Sequence, residues 1–425
     1  LFIIIINQFV RLLNSWYEKY AIKNIWWSFH CKLFKFYLTR PYSFHIQTNS
    51  KNLLEKLQVE TSLAVDGTIA SIYQILGNIA TCVFLFSFLL VIYPIVSIVI
   101  FFAAGASYWL IFSRLKKKIN EYAEFQPLFA EKTFVLIDRA FQSIKDIIIK
   151  NNHTFYLNLL TPLSKKFAKT NINYNAILIA PKAIVETLAY ILLLSVTFYF
   201  LSISANFASL VIILALYAFA LQRILPAVQG IYQAISLYKF SLPSLDRIYK
   251  DLLSAKEEFE EKNKFIEKKK KFNFSDKIEL LNVEFKYPNS KETALRIKHF
   301  EIKPGSFIGI AGKTGSGKTT LVDLMLGLLT PNSGKIMIDG NILNDELTKL
   351  WQTQLGYAPQ FPFMADDTIK NNITLGEDTD HLDIEKIREV AKIAQIDEFI
   401  ENHLPKKYDT IIGENGIKLS GGQRQ

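Results

Sequence analysis

The stretch Gly312-Lys313-Thr314-Gly315-Ser316-Gly317-Lys318-Thr319 decides how the second half of the chain is read. It has the form G-x4-G-K-[ST], a phosphate-binding loop. Its glycines let the backbone curl so that N–H groups face a phosphate at the N-terminus of the following helix. Lys318 is placed to reach the β- and γ-phosphates, and Thr319 to hold Mg²⁺. The surroundings agree: Phe307–Ala311 is an apolar run of strand length, and Thr320–Leu329 is an apolar helical run. Gly312, Gly315, Ser316, Gly317, Lys318, Thr319 and Thr320 are therefore candidate nucleotide contacts.

Around this loop lies a chain of 425 residues with a formal net charge of +10 and a mean hydropathy of +0.17. That length predicts about two or three domains. Hydrophobic residues make up 50% and charged residues 21%, which excludes global disorder. Two cysteines, Cys31 and Cys82, exclude a disulfide scaffold and a cysteine-ligated zinc site. The basic excess suits nucleic acid, anionic lipid or phosphate, and its distribution decides among them. Both ends read as cut. The chain begins at Leu1 within an apolar run and finishes at Gln425 in the opening turn of a helix.

Ile72 to Phe112 runs for 41 residues without Asp, Glu, Lys or Arg, a length that suits two membrane crossings. Pro94 splits it into spans at 72–93 and 95–112. A second pair follows at 183–203 and 207–225, carrying one charge each, Glu186 and Arg223, with Ser204, Ala205 and Asn206 as the turn. Residues 1–13 read as part of an earlier span. Soluble helices show a polar stripe that these largely lack. The short turns hold no basic residue, whereas Ser113–Lys182 holds twelve against five acids. That segment is therefore cytoplasmic, and the basic excess reads as topology rather than nucleic-acid binding. Leu115, Ile119, Tyr122, Phe125 and Phe129, then Phe134, Ile137, Phe141, Ile144 and Ile148, recur at helical spacing, predicting helices that continue from the membrane into the cytosol. Asn14–Ile69 has the same character, broken at Pro41. Its aromatics Trp16, Tyr17, Tyr20, Trp26 and Trp27 read as helix-packing residues rather than an interfacial belt.

Composition changes near residue 250. Residues 251–276 form a Glu/Lys-rich linker, after which strands such as Ile278–Phe285 and Ser306–Ala311 alternate with helical stretches, as in an α/β domain. The phosphate-binding loop alone would fit a kinase, a GTPase or a motor. The end of the chain, Leu419-Ser420-Gly421-Gly422-Gln423-Arg424-Gln425, decides. It resembles the signature of ABC-family ATPases: Ser420 and two glycines open a helix, so that hydroxyl and backbone donors converge on an anion.

The resemblance implies that Ser420, Gly421, Gly422 and Gln423 contact the γ-phosphate of ATP held by a second subunit. Two nucleotide domains would then close around two ATPs. It further implies that Tyr287, in Val-Glu-Phe-Lys-Tyr-Pro, stacks on adenine. Gln360, in Tyr-Ala-Pro-Gln, would be the Q-loop glutamine that touches Mg²⁺ and serves catalysis. Thr410-Ile-Ile-Gly-Glu-Asn-Gly416 is similar to the loop that precedes the signature in exporters. Asp339, in Ile336-Met-Ile-Asp-Gly340, is expected to be noncatalytic. The family's catalytic carboxylate and switch histidine lie beyond the signature, and neither His381 nor His403 is that histidine.

The fold expected from the resemblance is an α-helical transmembrane domain of the ABC exporter type with long cytoplasmic helix extensions, followed by an α/β P-loop nucleotide-binding domain. The boundaries are 1–250, a linker at 251–276, and 277–425. Short coupling helices are expected near Tyr42–Asn49 and Asn151–Tyr156. Pro181-Lys-Ala-Ile-Val-Glu186, Leu221-Gln-Arg223-Ile-Leu-Pro226-Ala and Gln47-Thr-Asn-Ser-Lys-Asn-Leu-Leu54 are similar to lipid-linked oligosaccharide flippases of bacterial protein glycosylation. The implied protein is a half-transporter of the cytoplasmic membrane with its nucleotide domain in the cytoplasm. It would use ATP and Mg²⁺, pairing with a second copy of itself or a similar half-transporter. Arg223 is the candidate substrate contact, with a structural pair to Glu186 as its alternative role. Exporters of lipid A, peptide or drug, and ABC ATPases that gate or signal without transport, remain open readings.

Overall fold

The computed structural model describes residues 2–92, 94–202, 207–263, 274–288, 290–375 and 383–425. The chain forms two units, Leu1–Lys269 and Lys270–Gln425. The expected turns at Tyr93 and at 204–206, the Lys268–Lys271 run and His381 lie outside the described residues.

The first unit is built of long helices: α1 Phe2–Leu38, α2 Tyr42–Gln47, α3 Ser50–Ile92, α4 Pro94–Gln142, α5 Ile144–Ile149, α6 His153–Ser202 and α7 Phe207–Asn263. Pro41, with φ −61°, precedes α2 and turns the chain there. Asn151 takes a left-handed φ of 51°, which ends the turn after α5; Asn tolerates that region better than most residues. Among the described residues, α3 alone is long and apolar enough to cross a membrane by length and composition. The expected spans at 95–112, 183–203 and 207–225 fall on α4, α6 and α7.

Two expectations are corrected here, and α7 outlasts the segment expected to end at 250. The second short helix stands at Ile144–Ile149, ahead of the expected 151–156, because Ser143 interrupts α4 and His153 already opens α6. α7 runs to Asn263, into the expected linker, since Ala, Glu and Lys all favour helix. Of the five aromatics read as packing residues, Trp26 is half-buried and donates to Ser62 Oγ at 3.1 Å. Trp16, Tyr17, Tyr20 and Trp27 are exposed.

α3 and α7 pack antiparallel along one seam. Lys56 Nζ meets Asp251 Oδ2 at 2.7 Å and Arg247 Nε meets Glu60 Oε1 at 2.7 Å. Further along, a Cβ on Gly67 would collide with Ser241 Oγ, and one on Gly230 would lie 2.6 Å from Asn78 Nδ2. The seam ends in a cluster of Leu89, Tyr217, Ala220 and Ile224. Small residues bring the backbones together, and van der Waals packing follows. At the charged end α3 has π-helical turns at Lys56–Glu60 and Leu63–Ile69. Glu60 is buried there, with Arg247 as its partner.

In the second unit, β1 Ile278–Phe285, β2 Leu295–Ile302, β3 Ser333–Ile338 and β4 Asn341–Ile342 form an antiparallel sheet in the order β2-β1-β3-β4. β1 faces the core through Ile278 and Leu280, then through Val283 and Phe285. The alternation slips by one at Asn282, which has φ 48°, where the register to β3 also shifts. This is a β-bulge. Asp339 and Gly340, both at positive φ, make the two-residue turn from β3 to β4.

Helix α8, Lys318–Met325, lies on this sheet, with Leu321, Leu324 and Trp351 in the same core. It begins two residues before the expected apolar helix and stops at Met325. Gly327 adopts φ 68°, Leu328 N–H donates to Asp323 O and Gly327 N–H to Leu324 O; this is a Schellman cap. Four further helices follow: α9 Asp345–Gln352, α10 Ile369–Ile373, α11 Ile384–Ile393 and α12 Asp397–His403. The last three share a core of Ile369, Ile387, Ala391, Ile400, Tyr408 and Ile412.

The expected strand at Ser306–Ala311 does not form a ladder. No strand among the described residues pairs with it, and Phe307 is fully exposed. An apolar run becomes a strand only when a neighbour takes its backbone hydrogen bonds.

Candidate nucleotide-binding site

The loop from Gly312 to Thr319 curls as its glycines permit. Gly315 and Gly317 hold φ of 81° and 88°, which side-chain-bearing residues rarely adopt. A Cβ on Gly312 would lie 2.5 Å from Ser316 Oγ, and one on Gly317 would lie 2.6 Å from Ala294 O. The loop is therefore drawn tight and seated against the entry to β2. Ser316 N–H donates to Lys313 O at 3.1 Å. Lys318 Nζ folds back over the loop, donating to Gly312 O at 2.7 Å and Lys313 O at 2.9 Å. Thr319 is exposed at the first turn of α8, whereas Thr320 is buried.

Tyr287, just past β1, is half-buried. Its ring meets Phe285 edge-on at 5.0 Å, and its hydroxyl lies 3.1 Å from Thr320 Oγ1. The structure thus brings Tyr287, Thr320 and the phosphate loop together. Asn332 sets this arrangement, and sequence reasoning missed it. Its Oδ1 accepts from Lys286 N–H at 2.7 Å while its own N–H donates to Glu284 O at 2.9 Å, fixing the backbone that leads into Tyr287. The Pro331-Asn332-Ser333-Gly334 turn was the available signal. Asp323, the sixth residue of α8, is buried, and burial raises its carboxyl pKa.

Ser420 caps α13, Gly421–Arg424, through a reciprocal capping box. Its Oγ accepts from Gln423 N–H at 3.3 Å, and Gln423 Oε1 accepts from Ser420 N–H at 2.8 Å. Gly421 and Gly422 are exposed, and nothing lies within 4 Å of a Cβ built on either, so their backbone can be approached closely. Arg424 Nη1 donates to Asn415 O at 3.3 Å, tying this helix to the preceding loop, where Gly413, Asn415 and Gly416 all have positive φ.

Among the described residues, no hydrogen bond or ion pair joins Ser420–Gln423 to the phosphate loop. Gln360 is exposed in the irregular stretch after α9, and among the described residues no hydrogen bond joins its side chain to either. Asp339 is structural. Its carboxylate accepts from the backbone N–H groups of Ser275, Asp276 and Lys277 at 2.8–3.0 Å. Burial acts to raise its pKa, but these backbone donors together hold it below the usual carboxylate range.

In the first unit Arg223 is exposed on α7, 6.0 Å over the Phe219 ring. Glu186 lies 3.8 Å from Lys182, one turn away on its own helix. The pairing of Arg223 with Glu186, expected as the alternative role, is not what the structure shows.

Comparison with known proteins agrees with these motifs. Residues 295–425 match the family model described as ABC transporter. A putative multidrug export ATP-binding/permease protein of Bacillus subtilis is 25% identical over 427 residues, 99% of this chain and 71% of that protein. The ATP-dependent lipid A-core flippase of Coxiella burnetii is 44% identical over 149 residues, 35% of this chain and 25% of the flippase. That match therefore covers about a quarter of the relative's length. Among solved structures, a bacterial Atm1-family ABC exporter with ATP bound superposes with a TM-score of 0.72 at 17% identity, covering 96% of this chain and 70% of that one. The chain therefore has the ABC exporter fold, a long-helix region followed by an α/β P-loop nucleotide-binding domain.

Proposed function

We propose that the full-length protein is an ATP-driven transporter subunit of the cytoplasmic membrane that exports or flips a lipid-linked substrate, most specifically a lipid-linked oligosaccharide. The observation that carries the ATP part is the drawn-in loop at Gly312–Thr319, with Lys318 Nζ folded onto the Gly312 and Lys313 carbonyls. That ammonium group stands over the ring of backbone where a phosphate chain would enter, and its two bonds can be exchanged for phosphate oxygens. Tyr287, oriented by Thr320, offers a ring face for adenine. Gly312, Gly315, Ser316, Gly317 and Thr320 shape the cradle. The exposed Thr319 hydroxyl and Gln360 would hold Mg²⁺, which when bound offsets phosphate charge.

Gly421 and Gly422, open to close approach, and the Ser420 hydroxyl would meet ATP held by another subunit. The partner is a second copy of this chain or a similar half-transporter. On this reading 1–250 is the membrane domain, 251–276 the connection and 277–425 the nucleotide domain, which lies in the cytoplasm.

The substrate part rests on Arg223 together with the residues at 47–54, 181–186 and 221–227. A guanidinium in an otherwise apolar helix stretch is costly unless it meets a partner or a wet cavity. Its forked donors match phosphate oxygens, such as those of a polyprenyl pyrophosphate. The alignment with a multidrug export protein along 99% of this chain favours drug export as the second reading. ATPase assays on full-length protein in lipid nanodiscs separate the two. Stimulation by a polyprenyl-pyrophosphate oligosaccharide and none by apolar drugs supports the proposal; the reverse pattern supports drug export.

A further inference from the structure

Proline inside a helix donates no hydrogen bond to the carbonyl four residues earlier and pushes that carbonyl aside. In α6 this happens at Pro162 and at Pro181. Pro162 is exposed, and so is Asn158, whose carbonyl it orphans. Pro181 is buried, and its orphan is the carbonyl of Ile177. That carbonyl accepts the Tyr232 hydroxyl of α7 at 3.0 Å, and the adjacent Leu178 carbonyl accepts Gln229 Nε2 at 2.9 Å. Gln229 and Tyr232 are 6% and 4% exposed. They lie three residues apart, on one face of α7. Two polar side chains that a buried helix face would normally exclude are thus placed against the carbonyls that Pro181 disturbs.

One turn and more before the break, Tyr174 stacks on Phe240 of α7 at 4.7 Å. It is 9% exposed, and its hydroxyl has no hydrogen-bond partner among the described residues. A buried hydroxyl left unpaired is costly, so this packing is not the best arrangement for every polar group around the break. A swing of the 153–180 arm of α6 would carry Tyr174 out of that position and withdraw the carbonyls from Tyr232 and Gln229.

We propose that Pro181 is a hinge of α6 and that Tyr232 and Gln229 of α7 are its latch. Latched, both carbonyls are capped and the two parts of α6 keep one mutual angle. Unlatched, the carbonyls need water, so the hinge opens when the α6–α7 interface is wetted and closes when it is dry. The device works on backbone polarity alone and stands whether the transported substrate is a glycolipid or a drug.

The test uses full-length protein in nanodiscs, with every native cysteine replaced, Cys31→Ser and Cys82→Ala among them, and spin labels at Lys169→Cys and Tyr190→Cys, on either side of Pro181. Pulsed electron paramagnetic resonance reads the distance between them. The unsubstituted hinge gives a narrow distribution in the latched state. Gln229→Leu with Tyr232→Phe broadens it and lowers Tm. Adding Pro181→Ala restores the missing N–H, so the same pair of substitutions then leaves both the narrow distribution and Tm unchanged. A folded latch variant with an unbroadened distribution overturns the proposal. So does a failure of Pro181→Ala to reverse the broadening. If the latch variant does not fold, recovery of folding on adding Pro181→Ala supports the proposal, and no recovery overturns it.

Discussion

The Tyr287 hydroxyl lies 3.1 Å from that of Thr320, joining the end of β1 to the first turn of the helix after the phosphate loop. The aromatic read as an adenine platform is therefore held by the same helix that would cradle the phosphates. Tyr287→Ala should weaken ATP binding by roughly threefold to tenfold, the range for one aromatic contact. Tyr287→Phe should keep most of the affinity. Fluorescent nucleotide titration reads both, and an unchanged affinity for Tyr287→Ala would remove the ring from the site.

On the proposed reading, Ser420 and Lys318 of one chain serve the ATP of different subunits. A mixed dimer carrying Lys318→Ala in one subunit and Ser420→Ala in the other disables both groups of one composite site and spares the other. Its ATPase activity should exceed that of dimers carrying either change in both subunits. Equal activities would argue against shared sites.

Asp339 closes three backbone N–H groups at the start of β1. Its folded pKa lies below the ordinary value of 3.8. A depressed carboxylate contributes stability that is present above its unfolded pKa and lost as pH falls through the folded one. Asp339→Ala should thus destabilise the nucleotide domain by about 1–2 kcal/mol at neutral pH, the scale of a lost cap, and by less below about pH 4. Denaturant titration at the two pH values tests this; an equal cost at both would contradict it.

Arg223 is exposed while Glu186 sits beside Lys182, so the two readings of Arg223 now separate cleanly. Arg223→Gln should leave Tm and basal ATPase unchanged and abolish the stimulation of ATPase by a lipid pyrophosphate. A fall in Tm that Glu186→Gln reverses would instead restore the structural pairing.

The phosphate loop and the Ser420 cap were legible because each is local. A glycine at a fixed offset needs only its own φ, and a capping box spans four residues. β1 was legible to the residue because its alternation and turn signals are strong. The strand at Ser306–Ala311 was read from apolarity alone, which says nothing about whether a neighbour exists to bond it. The exposed Trp16, Tyr17, Tyr20 and Trp27 failed for a related reason: an aromatic on a helix declares no partner. Asn332 and the Tyr232–Ile177 bond were invisible because both join positions 46 to 55 residues apart, and no local pattern encodes which carbonyl a distant side chain will meet.

On the proposed reading, ATP hydrolysis drives a lipid-linked substrate across the membrane. The most direct test of this is translocation of a fluorescent polyprenyl-pyrophosphate oligosaccharide in proteoliposomes holding the full-length protein. Movement between leaflets should require ATP and be lost in Lys318→Ala and in Arg223→Gln. ATP hydrolysis at normal rate with no translocation of that lipid would contradict it.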